Sequence, residues 1–170
     1  MKKLLLLLIT LALLVLGACG SPKITTPRII EPEELISKEE AEEFIGLEVV
    51  GVEKAEEDRV GQKICFYKTE GDYRDYFYYL QISIIQKAFM IKEQTQTPED
   101  IFRGTKELFS NAIDVEGVGN EAYAYNHGLA ILSDGYYISI STSGSGLDTG
   151  VQELLIEVGK QAVENLDKIK

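Results

Sequence analysis

From Tyr78 to Ile84, and again from Tyr136 to Ser141, apolar and polar side chains alternate along the chain. A period of two suits a β-strand covered on one side. It does not suit an amphipathic helix, whose apolar positions recur about every 3.6 residues. One face carries Tyr78, Leu80, Ile82 and Ile84 in the first segment and Tyr136, Ile138 and Ile140 in the second. The other carries Tyr79, Gln81 and Ser83, then Tyr137, Ser139 and Ser141. A single apolar face predicts an antiparallel sheet with helices on one side and a wetter opposite side. The matching stretches, YYLQIS from Tyr78 and YYISIS from Tyr136, begin 58 residues apart.

Other strand signals flank these two. LEVVGVE and KICFYK precede the first; NEAYAY and GLAILS precede the second, with turns at Asn126-His127-Gly128 and Ser133-Asp134-Gly135. Helix starts are marked by caps. Ser37 and Glu40 form a capping box ahead of Ala41, Phe44 and Ile45, and Gly46 suits the stop. Thr97 caps a second helix, with Pro98 in its first position and Ile101, Phe102, Thr105, Leu108, Phe109 and Ala112 on one face. A third runs from Val151 through Leu155, Val158, Ala162 and Leu166 to Ile169. The expected fold is α+β, in the order α-βββ-α-βββ-α, with about six antiparallel strands and helices mainly on one face. The caps lie 60 residues apart and the matching strands 58, which suggests an internal duplication with halves 37–96 and 97–146, followed by the C-terminal helix.

The N-terminus reads differently. Lys2 and Lys3 precede thirteen uncharged residues, Leu4–Leu16. At ~1.5 Å per residue the run reaches about 20 Å, short of a ~30 Å hydrocarbon core. A basic start and a short apolar run with small residues at its end describe an export leader, residues 1–18. Leu16-Gly17-Ala18-Cys19 resembles the lipobox of bacterial lipoproteins. The resemblance implies a diacylglyceryl group on Cys19, cleavage after Ala18 and a membrane contact made through that lipid. Two acyl chains hold where one is marginal, since each buried methylene contributes about 0.8 kcal/mol. Residues 19–36 then read as a lipidated N-terminus and flexible tether, rich in proline (Pro22, Pro27, Pro32), and 37–170 as a single domain.

Charge narrows the partners. The chain carries −11 overall, and −13 without the leader's two lysines. Residues 31–58 hold twelve acids against Lys38 and Lys54. Such a surface disfavours nucleic acid and repels anionic lipid heads. Cys65 is the only cysteine besides Cys19, so no intramolecular disulfide is expected, and Cys65 reads as a buried small hydrophobe.

Motifs for chemistry are sparse. His127 is the single histidine, in a predicted turn, and no nucleophile elbow accompanies it. Gly117-Val118-Gly119-Asn120-Glu121-Ala122 matches a dinucleotide fingerprint in letters, but a strand follows it where that motif opens a helix. The loop SGSGLDTG lacks a lysine, and its Asp148 would repel phosphate and suits an N-cap. No catalytic residue, cofactor or metal is implied. The nine tyrosines all fall between Tyr67 and Tyr137. Tyrosines on an exposed sheet face can anchor a protein or stack on a sugar. The candidate binding surface is therefore Tyr79, Gln81, Tyr137 and Ser139. CFY and GVGNEAY resemble motifs of a family of secreted actinobacterial lipoproteins of unknown function; that resemblance implies no activity. The expectation is an extracytoplasmic, non-catalytic module that binds a protein or an envelope component. The alternatives are a protective factor against a basic secreted enzyme and, least favoured, a hydrolytic enzyme.

Overall fold

A computed structural model describes residues 28–71, 78–143 and 149–170. The leader, Cys19, residues 20–27 and the loop residues 144–148 lie outside the described residues. The fold is α+β: among the described residues, one open antiparallel sheet and four α-helices. The helices are α1 (Pro32–Leu35), α2 (Lys38–Ile45), α3 (Pro98–Leu108) and α4 (Thr149–Ile169). The strands are β1 (Val49–Glu57), β2 (Gln62–Thr69), β3 (Tyr79–Ile85), β4 (Ile113–Asp114), β5 (Glu121–Tyr125), β6 (Gly128–Ser133) and β7 (Tyr136–Thr142). Their spatial order is β1-β2-β3-β7-β6-β5-β4. Among the described residues seven strands stand where about six were expected. The extra one, β4, has two residues and no room for a period.

Both caps form as expected. Ser37 Oγ accepts from the Glu40 N–H and the Glu40 carboxylate accepts from the Ser37 N–H, at 3.2 and 2.8 Å. Thr97 and Asp100 repeat the arrangement at 3.1 and 2.8 Å. α3 stops at Leu108, so Phe109 and Ala112 lie beyond the helix expected to carry them.

Helices cover both faces, unequally. α1, α2 and α4 pack over the main core, against Cys65, Tyr67, Leu80, Ile82, Ile138 and Ile140. α3 lies on the opposite face, where Phe102 meets Tyr123, Ala130 and Tyr137. This arrangement bears on the expected duplication. β3 and β7 pair antiparallel at the sheet centre, with Ile82 opposite Ile140, so the strands relate by a rotation about the sheet normal. Such a rotation keeps each face on its own side, yet the helices after Ser37 and Thr97 lie on opposite faces. The likeness holds for the strands and the two caps, not for the faces on which the helices lie.

The largest departure is at the N-terminal end. Residues 28–36, expected as tether, belong to the core. Ile30, Leu35 and Ile36 are buried, at 1%, 0% and 0% exposure. The Ile30 N–H donates to Gln86 Oε1 at 2.8 Å, and Gln86 Nε2 donates back to the Ile30 carbonyl at 2.7 Å. The buried Gln86 amide thus pairs with the Ile30 backbone as a neighbouring strand would. The domain begins at or before Arg28, not at Ser37.

Gly61, in the β1–β2 turn, holds Gln86 from the other side. It has φ +70, accepts from the Gln86 N–H at 3.0 Å, and a Cβ there would meet the Gln86 carbonyl oxygen at 2.5 Å. Gly46 has a similar φ of +72 but open space around it. Gly46→Ala should cost only the left-handed backbone penalty, ~1–2 kcal/mol. Gly61→Ala adds a clash with backbone and should cost at least twice as much, ~3 kcal/mol or more. Urea midpoints of the two variants check this; equal shifts would count against the close approach.

Candidate binding face

α3 covers the β5–β7 end of its face and reaches the buried Ile85 of β3. The rest of the β1–β3 end is uncovered by any described helix, because the three other helices lie behind the sheet. The alternation of β2 and β3 decides what this open half displays: Ile64 and Phe66 from β2, Tyr79 and Gln81 from β3. All four are half-buried. Phe66 and Tyr79 meet edge to face at 5.8 Å, and Tyr78 lies 6.5 Å from Tyr79. Across the centre, Gln81 is opposite Ser141 and Ser83 opposite Ser139.

Where the open half meets α3, the sheet and helix enclose a groove of about 290 Å³. Ser83, Ser139, Thr105 and Gln62 supply three hydroxyls and an amide, while Val60, Ile85, Ile101 and the Tyr137 ring supply apolar wall. Gln62 Nε2 donates to Ser83 Oγ at 2.9 Å, which fixes both. None of the lining residues is charged. Hydroxyls and an amide without a neighbouring base can orient a ligand by hydrogen bonds, but the lining offers no paired nucleophile and base.

Of the four expected surface residues, all lie on one sheet face. Tyr79, Gln81 and Ser139 line its open part. Tyr137 does not: it is 6% exposed, beneath α3, with its ring edge-on to Phe102 at 5.5 Å. Alternation assigns Tyr137 to this face correctly, but it cannot say which part of the face a helix covers. Tyr78 and Tyr136, expected in the core, are half-buried; Tyr136 packs against the main core. Phe66, Gln62 and Thr105 join this face without belonging to the expected surface. The alternation of KICFYK did place Phe66 opposite Cys65 and Tyr67, so its face was readable; the groove made with α3 was not.

The remaining chemical candidates have structural surroundings. Cys65 is fully buried, and that burial pushes its thiol up to about 11, so it is a thiol and not a nucleophilic thiolate near neutrality. Burial likewise raises Tyr123 to about 12 and raises Tyr137. His127 sits in the expected β5–β6 turn, and its Nδ1 is buried with no hydrogen-bond partner among the described residues. Gly117 and Gly119, with φ of +77 and +60, form a turn that enters β5. Among the described residues no group of His, Cys, Asp and Glu is placed to hold a metal ion, and no helix is long and apolar enough to cross a membrane. Set against protein-family models, curated proteins and solved structures, the chain matches none.

Proposed function

We propose that this chain is a lipid-anchored, extracytoplasmic protein of a bacterial envelope that binds through the open half of its sheet and does no chemistry of its own. The anchor rests on the coincidence of a basic start, a thirteen-residue apolar run and LGAC ending at Cys19. The binding role rests on one observation: an uncharged, hydroxyl-lined groove beside half-buried aromatics, in a chain with net charge −11. The groove suits an uncharged, polar envelope component or the polar surface of a protein. Because the core begins by Ile30, only residues 20–27 remain as tether. At ~3.3–3.6 Å per residue they reach at most about 29 Å. A protein anchored at Cys19 would therefore hold its domain close to the lipid surface.

Cys19→Ser should abolish incorporation of a fatty-acid analogue and release the protein from the membrane fraction, read by mass spectrometry of the N-terminal peptide. Unchanged labelling would sink the anchor. For the face, Gln81→Lys places a charge on the open sheet beside the groove and should reduce what the protein retains from solubilised envelope. Identical retention by wild type and variant would remove this surface from the reading.

A further inference from the structure

The sheet ends differently at its two edges. β4 closes one edge with two residues, too few to template another strand. β1, nine residues long, leaves the other open beyond Val49. The Val49 N–H is taken by the Glu42 carboxylate at 2.9 Å. From Val50 onward no other described strand pairs with the outer side, so alternate N–H and C=O groups face outward along roughly 24 Å. Leu47, Val50 and Val52 are 49%, 54% and 43% exposed beside this free backbone. Lysine commonly guards such an edge. Here the strand's single lysine, Lys54, is drawn into an ion pair with Glu33 of α1. What remains is acidic. Leu47, Glu48, Val50 and Glu70 line a hollow of about 170 Å³ at the start of β1. Glu56, Glu57, Asp58 and Phe89 line one of about 510 Å³ at its end. Glu48, Glu57, Asp58 and Glu70 make no ion pair among the described residues.

The geometry points to β1 as a docking strand for an extended, basic segment of a partner protein, which would join the sheet as an added strand. Backbone hydrogen bonds supply the affinity in such pairing, and side chains supply the choice of partner. Apolar residues of the segment lie along Val50 and Val52, and a lysine or arginine enters each acidic hollow. A second copy of this chain fits poorly: its β1 would bring Glu53, Glu56 and Glu57 against the same three acids, with one lysine on each side. This surface is separate from the groove, so either can fail without the other.

The test uses the full chain in detergent and a blocked nine-residue peptide alternating lysine and valine. Saturable binding at low salt is expected, with alternate amides between Val50 and Glu57 exchanging at least about tenfold more slowly. Glu57→Lys with Asp58→Lys should weaken binding by about tenfold or more, whereas the same charge change at Glu107 and Glu116, near the opposite edge, should leave it within about twofold. Lys54→Pro and Ala55→Pro separate backbone pairing from simple charge attraction. One of the two removes an N–H bonded to β2 and melts early; the other leaves the β2 ladder intact, melts close to the wild type once Lys54→Ala has reported the loss of the Glu33 ion pair, and should abolish binding. The proposal is overturned by absence of saturable binding, by protection elsewhere than β1, or by equal losses from both charge pairs. Protection of β1 that rises with protein concentration alone would also overturn it, since that would mean self-pairing.

Discussion

A fragment spanning residues 37–170 is expected to lose cooperative thermal unfolding, whereas 28–170 should keep it. The nine residues between the two starting points contribute Ile30, Leu35 and Ile36, all buried in the main core. Losing a buried aliphatic side chain costs ~2–5 kcal/mol. Three such losses reach the whole of a typical stability of about 5–15 kcal/mol. The polar accounts point the same way. Without Ile30, both polar ends of the buried Gln86 amide lose their partner. Without Ile36, so does the Tyr67 hydroxyl, which donates to its carbonyl from a fully buried position. The carbonyl of Leu35 also accepts from Asn165 Nδ2 at 2.9 Å, so α4 loses a tie as well. Each buried group left unpaired adds ~1–3 kcal/mol. Circular dichroism melts of the two fragments decide the matter. A sharp transition in 37–170 within a few degrees of the longer fragment would show that the segment merely rests on the core.

Why that segment escaped a reading of the residues is instructive. Pro27, Pro32 and a run of acids have the composition of a linker, and α1 is only four residues long, too short to show a period. What fastens it is Gln86, 56 residues away. A buried glutamine looks like any other glutamine until its partner is known. The elements that were legible owe this to local chemistry. Ser37 and Thr97 announce their helices because a cap acts on N–H groups two and three residues on. β6 and β7 were legible because two turns, at Asn126 (φ 37) and Asp134 (φ 49), bracket β6 with residues that tolerate left-handed backbone. The groove was half legible. Alternation put Gln81 and Ser139 on one face, but only packing shows that α3 covers one end of that face and leaves the other open.

The same point makes the two tyrosines of that face the sharpest comparison. Tyr79 and Tyr137 hold matching places in YYLQIS and YYISIS, and by repeat logic alone they should respond alike to truncation. The structure separates them. Tyr137 is 6% exposed, opposite Ile85 across the sheet and edge-on to Phe102 of α3. Phe102 in turn lies 5.1 Å from the buried Tyr123. Removing the Tyr137 ring empties the centre of this second, smaller core. Tyr137→Ala should therefore cost ~3–5 kcal/mol. At roughly 2–4 °C per kcal/mol for a domain of this size, the melting temperature should fall by about 10 °C. Tyr79 is half-buried, and its main ring contact is Phe66 at 5.8 Å. An edge-to-face pair contributes ~0.5–1.5 kcal/mol beyond burial, so Tyr79→Ala should cost about 1–2 kcal/mol. Tyr137→Phe tests whether the ring or the hydroxyl matters; the ring's burial predicts that most of the stability returns. Denaturant melts of the three variants provide the measurement. Equal losses at Tyr79 and Tyr137 would mean that α3 does not sit on β7 as described, and the groove between them would have no wall.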